Sequence, residues 1–138
     1  MKTSKESIIR NFFTPHDMQD VSAFYEQFAE NIVIYVPKHF PWGGCYYGLR
    51  GAGDLLSNVS QHVLADIEVE EIFSSGEQVV SIGRLHGKAL ATGERIDARV
   101  VHVFTFNGEG KIRRVEFYGE GVEQVDFKVK YSVVTHFD

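Results

Sequence analysis

The chain has 138 residues, 43% of them hydrophobic and 24% charged, which fits one globular domain, residues 1–138, with a single core. Its net charge of −5 lacks the basic footprint that nucleic acid requires and disfavours adsorption to an anionic membrane. The single cysteine, Cys45, excludes an internal disulfide and a cysteine-based zinc site, and no apolar run is long enough to span a bilayer.

Behind Met1-Lys2-Thr3-Ser4-Lys5-Glu6 there is no apolar stretch of a signal peptide, so a cytoplasmic protein is expected. Eleven Phe and six Tyr favour a wide aromatic core or an aromatic-lined cavity. Thr3 and Glu6 have the spacing of a capping box, which predicts a first helix carrying Ile8, Ile9, Phe12 and Phe13. Pro15 stops it. Asp17 then caps a second helix whose apolar stripe is Val21, Phe24, Tyr25 and Phe28. A β-branched strand, Ile32 to Val36, ends at Pro37. The stretch from Lys38 to Gly51 is too glycine-rich for a helix and too aromatic for a solvent linker. A third helix follows, with Leu55, Val59 and Val63 on one face. From Asp66 onward the pattern predicts strands at roughly 66–73, 78–90, 95–106 and 111–118, separated by glycine-containing turns. Helices followed by a strand meander define an α+β class rather than alternating βαβ units.

Three stretches carry a resemblance to a known group. They are Phe28-Ala29-Glu30-Asn31-Ile32-Val33-Ile34-Tyr35-Val36-Pro37; Tyr47-Gly48-Leu49-Arg50-Gly51 with Asp54-Leu55-Leu56; and Val101-His102-Val103-Phe104-Thr105-Phe106 with Gly110-Lys111-Ile112 and Glu116-Phe117-Tyr118. In this order they are similar to the SnoaL-like polyketide cyclases and ketosteroid isomerase-like proteins of the nuclear transport factor 2-like superfold. The resemblance implies a cone-shaped α+β barrel, with N-terminal helices packed on a curved, mostly antiparallel sheet that encloses a pocket. It says much less about function, because that superfold hosts several chemistries and also proteins without catalysis.

The steroid isomerases of this group use a carboxylate base and an oxyanion hole of a tyrosine and a protonated aspartic acid. By resemblance these positions fall on Val36, Phe12 and His102. Val36 cannot take a proton and Phe12 cannot donate one, so that mechanism is not expected. The SnoaL-like cyclases rely on an acidic residue past the last strand's aromatic, and Glu120 is the nearest carboxylate. Alternation puts Val115, Phe117 and Gly119 on one face and Arg114, Glu116, Tyr118 and Glu120 on the other. Glu120 therefore reaches the pocket only if a bulge or the strand end re-aims it; otherwise it is a solvated glutamate.

Alternation in 95–106 groups His102 with Ile96, Ala98, Val100, Phe104 and Phe106, making it the one titratable group on the apolar face. It is either a core histidine satisfied by one partner or a functional imidazole lined by Phe104 and Phe117. A neutral imidazole needs a second group for acid–base work, and Tyr35 and Glu120 are the candidates. His86 alternates with Arg84 and Lys88 and is expected in solvent or at a subunit contact. Opposite it, Ser81, Gly83, Leu85, Gly87 and Ala89 leave room for a ligand or a close neighbour. His39, Trp42, Tyr46 and Tyr47 suit a ligand lid or a dimer contact equally. The six histidines show no metal-ligand spacing, and nothing calls for a cofactor.

Three functions fit: acid–base isomerisation, cyclisation or dehydration of a small apolar or aromatic ligand; binding of such a ligand without catalysis; or a dimeric interaction module. A homodimer is expected through the outer sheet face, where Arg99, Val101 and Val103 lie beside Arg84 and His86.

Overall fold

The computed structural model describes residues 4–13 and 25–120, apart from the side chains of residues 11–13 and 120. Its elements are α1 (Lys5–Phe13), β1 (Phe28–Val36), β2 (Gly44–Tyr47), α2 (Gly48–His62), β3 (Val63–Ser75), β4 (Gln78–Ala89), β5 (Arg95–Phe106) and β6 (Ile112–Glu120). The strands form one curved sheet in the order β2-β1-β6-β5-β4-β3. Every pairing is antiparallel except β1 with β6. The α+β class expected from the sequence is what the chain adopts. The curved, mostly antiparallel sheet is present as expected, and it is open: β2 and β3 are its two edges and do not pair with each other.

Local differences from the expected elements have physical causes. The cap of α1 is Ser4, whose Oγ accepts from the Ser7 N–H at 3.1 Å. Glu6 instead accepts from the Ser74 hydroxyl at 2.8 Å and ties the helix to β3. Asp17, Val21 and Phe24 of the expected second helix lie outside the described residues, and Phe28 of that stripe opens β1. Strand β1 is longer than its β-branched run because β6 pairs with it across a register shift between Phe28 and Val33. That irregularity breaks the period-two pattern by which a strand is recognised. Within the Gly-rich loop, Gly44–Tyr47 forms an edge strand on β1. Helix α2 passes directly into β3 at Val63, whose backbone is already extended (φ −140°, ψ 153°). No glycine or proline marks that junction, so Val63 reads as one more turn of the helical stripe.

Two glycines allow the sheet to curl. Gly83 and Gly87 lie on the inner face of β4, between buried Ser81, Leu85 and Ala89. A Cβ on Gly83 would sit 2.2 Å from the Glu68 carbonyl oxygen, and one on Gly87 would sit 2.2 Å from that of Leu64. Strand β3 thus coils in over β4 where no side chain stands in its way, helped by a bulge between Val69 and Glu71. The inner face so formed holds the core: Val79, Leu85, Ile96, Ala98, Val100, Phe104, Phe106, Ile112 and Val115 are buried. Helix α1 adds Ile9, which is also buried.

Because the obstacle is backbone, Gly83→Ala and Gly87→Ala are each expected to cost roughly 1–3 kcal/mol of stability, as overpacking does. Gly108, where an added Cβ would meet nothing within 4 Å, is the control. Urea midpoints for the three variants check this. Equal midpoints for Gly83→Ala and Gly108→Ala would contradict the close approach.

Candidate functional site

The polar groups on the inner face come from neighbouring strands. In β5 the burial alternates along Ile96, Ala98, Val100 and His102 as period two requires. The ladder then sets four side chains in one row: Ile72 of β3, Ser81 of β4, His102 of β5 and Phe117 of β6. Ser81 is 1% exposed and His102 8%. Val100, Phe104 and Phe106 on the same face of β5 have no exposure at all, and Phe117 beside His102 in the row keeps 7%.

Rings surround the imidazole. Phe117 lies 4.6 Å away, tilted by 45°, and Phe104 lies 5.7 Å away in a nearly parallel stack. Phe40 packs on Phe117 at 4.8 Å and on Trp42 at 5.5 Å, and Trp42 packs on His62 at 6.1 Å. Apolar surroundings disfavour the imidazolium, and burial pushes the His102 pKa down to about 3. The ring is therefore neutral at physiological pH, with one nitrogen able to donate and the other to accept.

The segment between β1 and β2 holds Phe40 and Trp42 in place. The Phe40 N–H donates to the Pro37 carbonyl (3.1 Å) and the Gly43 N–H to the Phe40 carbonyl (2.9 Å), making two successive turns. The Phe40 ring lies over Gly119, where a Cβ would come within 2.9 Å of its Cζ. The Trp42 carbonyl accepts from the Tyr46 hydroxyl at 2.7 Å, and that hydroxyl accepts from the Asn58 amide at 3.1 Å. His62 Nδ1 lies 2.7 Å from the Asn58 carbonyl, which can only accept, so Nδ1 carries a proton. The loop is thereby fastened to α2.

The structure brings some of the expected site residues together and separates others. Val36, Phe104 and Phe117 are buried with His102 on the inner side, and Trp42, 4% exposed, joins the same run of rings through Phe40. His39 is exposed, with Nε2 3.4 Å from the Gly119 carbonyl and its ring 4.6 Å from Phe40. Tyr35 is corrected as a partner for His102. It pairs with Glu116 across β1 and β6, and alternation puts Glu116 and Phe117 on opposite faces. Its ring meets Tyr118, 6.1 Å away on the outer face. Glu120 ends β6 opposite Arg99; its side chain, like that of Phe12, lies outside the described residues. In the sequence Ser81 stands out only as a small residue opposite His86. Its place beside His102 follows from the β4–β5 register, which depends on the geometry of the hairpin between them.

The outer face is mixed. Val80, Ile82, Val101 and Val103 are half-buried, and Tyr118 is exposed. The Tyr118 hydroxyl donates to Glu116 Oε1 at 2.7 Å, which raises the phenol's pKa, and Arg114 Nε donates to Glu116 Oε2 at 3.2 Å. His86 is exposed, between Glu68 at 3.4 Å and Asp97 at 3.6 Å. Arg84 binds Asp97 at 2.8 Å, and this hydrogen bond holds the Asp97 carboxyl below its usual range.

A family model for the SnoaL-like domain matches residues 9–115, and the chain belongs to that family. Its fold is similar to a nuclear transport factor 2-like protein of unknown function from Burkholderia pseudomallei. The two share 19% identity over 85% of this chain and 91% of that one, with a TM-score of 0.76. A putative polyketide cyclase from Pseudomonas putida shares 14% identity over 91% and 98% of the two chains, with a TM-score of 0.76. The protein TerC, co-crystallised with polyporic acid, shares 18% over 96% and 95%, with a TM-score of 0.72. No protein of curated function matches. At these identities the structural likeness establishes the fold.

The buried neutral imidazole has a consequence for stability. An unfolded histidine titrates near pH 6.5 and the folded one near 3, so between these values the unfolded chain holds the extra proton. The stability due to the neutral ring is whole above about pH 6.5 and falls below it, by up to about 1.4 kcal/mol per pH unit. Urea unfolding at pH 7 and pH 5 should show this loss, and His102→Leu should remove that part of the slope. Parallel pH profiles for the two proteins would mean that the imidazole is not held neutral.

Proposed function

We propose that the inner face around His102 binds a small apolar or aromatic molecule, with the neutral imidazole as its hydrogen-bonding group. The observation that carries this reading is the pairing of His102 with Ser81, two adjacent buried polar groups in an otherwise apolar row. Phe40, Phe104 and Phe117 offer ring surfaces to the apolar body, and the loop bearing Phe40 and Trp42 is the element placed to admit it. TerC, similar in fold, was co-crystallised with polyporic acid, which supports an aromatic ligand. Isomerisation, cyclisation or dehydration would need a second proton-transfer group beside the imidazole. Among the described residues the buried polar side chains are Ser81, His102 and Thr105, and no carboxylate is among them. Binding is therefore the reading favoured over turnover.

Trp42 is the single tryptophan, so its emission reports on this site. Hydroxylated aromatic compounds should change that emission and raise the melting temperature by mass action. His102→Leu should weaken their binding by roughly 1–3 kcal/mol, the cost of leaving a polar ligand atom without its partner. Undiminished affinity in His102→Leu would exclude the imidazole as the anchor.

A second reading concerns the outer face, which we propose pairs two copies of the chain. Half-buried Val101, Val103 and Ile82 adjoin Tyr118, 41% exposed, and Phe73, 48% exposed. A patch of this kind is costly to leave in water. Light scattering at micromolar concentration should give twice the monomer mass, and Val101→Glu should halve it. A monomeric wild-type chain would exclude this reading.

A further inference from the structure

Lys88 and Arg95 face each other directly across the β4–β5 ladder, and Leu64 of β3 continues their row. Like charges set opposite one another on paired strands repel. The same ladder sets Arg84 opposite Arg99, but there Arg84 is bound to Asp97 at 2.8 Å. Among the described residues no carboxylate lies within ion-pair distance of Lys88 or Arg95. Asp66 and Asp97 lie one ladder step away, opposite His86. In a chain of net charge −5, this is a cationic pair without a direct ion-pair partner among the described residues, although Asp97 acts on Arg95 from a distance.

The pair also borders a hollow. Leu64, Gly87, Lys88, Gly93 and Arg95 line a shallow depression of about 520 Å³ that is largely open to solvent. Gly93 takes a turn conformation (φ 74°), with nothing within 4 Å of where a Cβ would be, so no side chain fills that corner. Leu64 is 64% exposed and gives the hollow an apolar wall. Charge on one side and hydrocarbon on the other is the requirement of an amphipathic anion.

We propose that this hollow is a second binding site, for a small organic carboxylate with an apolar body. The guanidinium of Arg95 offers a planar fork that matches a carboxylate, and the Lys88 ammonium adds a point charge from the facing strand. The apolar body lies against Leu64. The site lies on the outer face, opposite to that of His102, and roughly 20 Å along β5 from Val101 at the strand rise of about 3.3 Å per residue. Its ligand, its location and its test are separate from those of the inner face.

The test is a titration of the full, isotope-labelled chain with benzoate, followed by backbone amide shifts. Saturable shifts should gather at Leu64, Lys88, Gly93 and Arg95, with a dissociation constant on the order of 1 mM. Lys88→Gln and Arg95→Gln, both at exposed positions, should each weaken binding at least about tenfold through the lost charge-assisted contact. Acetate, which has no apolar body, should bind more weakly than benzoate. Saturable shifts that persist unchanged in both variants would overturn the proposal. So would the absence of saturation by roughly 20 mM benzoate, or shifts that gather instead around His102 and Phe117.

Discussion

The rest of the structure depends on how closely two backbones approach at Gly83 and Gly87. Strand β3 has its carbonyls where inward-pointing side chains of β4 would otherwise stand. Sheets twist by default, but a strand that coils in over its neighbour needs space that only a missing Cβ provides. The inward curl makes the inner face concave, and concavity lets Ser81, His102 and Phe117 form a row with rings on several sides. It also leaves the backbone of Gly87 accessible from outside, where it helps to line the hollow between Leu64, Lys88 and Arg95.

Desolvation governs the chemistry of that concave face. His86 lies in solvent beside carboxylates, whereas burial among Phe104, Phe117 and Val100 keeps His102 neutral. The same residue type thus serves opposite purposes on the two faces of one sheet. On the outside it belongs to an ionic array with Arg84, Asp97 and Glu68. On the inside it is a neutral hydrogen-bonding group in apolar surroundings, suited to orienting a ligand oxygen. Tyr35, by contrast, is turned outward, where it pairs with Glu116 and its ring meets Tyr118.

The outer face is organised by rows. At its centre the rows are apolar, around Val101 and Val103, with Glu116 held by Tyr118 and Arg114. Toward the β4–β5 hairpin they become ionic, first directly paired at Arg84 and then without a direct ion pair at Lys88 and Arg95. The two contacts proposed for this surface, association through its apolar centre and anion capture at its end, draw on the two ends of that gradient.

Much of this was legible in the sequence. Period-two alternation in 95–106 and 111–118 assigned His102, Phe104 and Phe117 to the inner face and Tyr118 to the outer, because the pleat of a strand leaves no other choice. Composition and element order gave the α+β class, and motif order gave the family. Local rules failed where a neighbour overrode them. Val63 passed for helix because its stripe continued unbroken, and Phe28 passed for helix because the irregular pairing with β6 hid its strand. Gly44–Tyr47 passed for loop because an edge strand is defined by its partner. Which residues meet across strands was beyond the sequence altogether. The pairing of Ser81 with His102, the removal of Tyr35 from the site, and the confrontation of Lys88 with Arg95 are all set by register. Register is fixed by turns, bulges and the burial of whole faces together, which no single stretch of chain encodes.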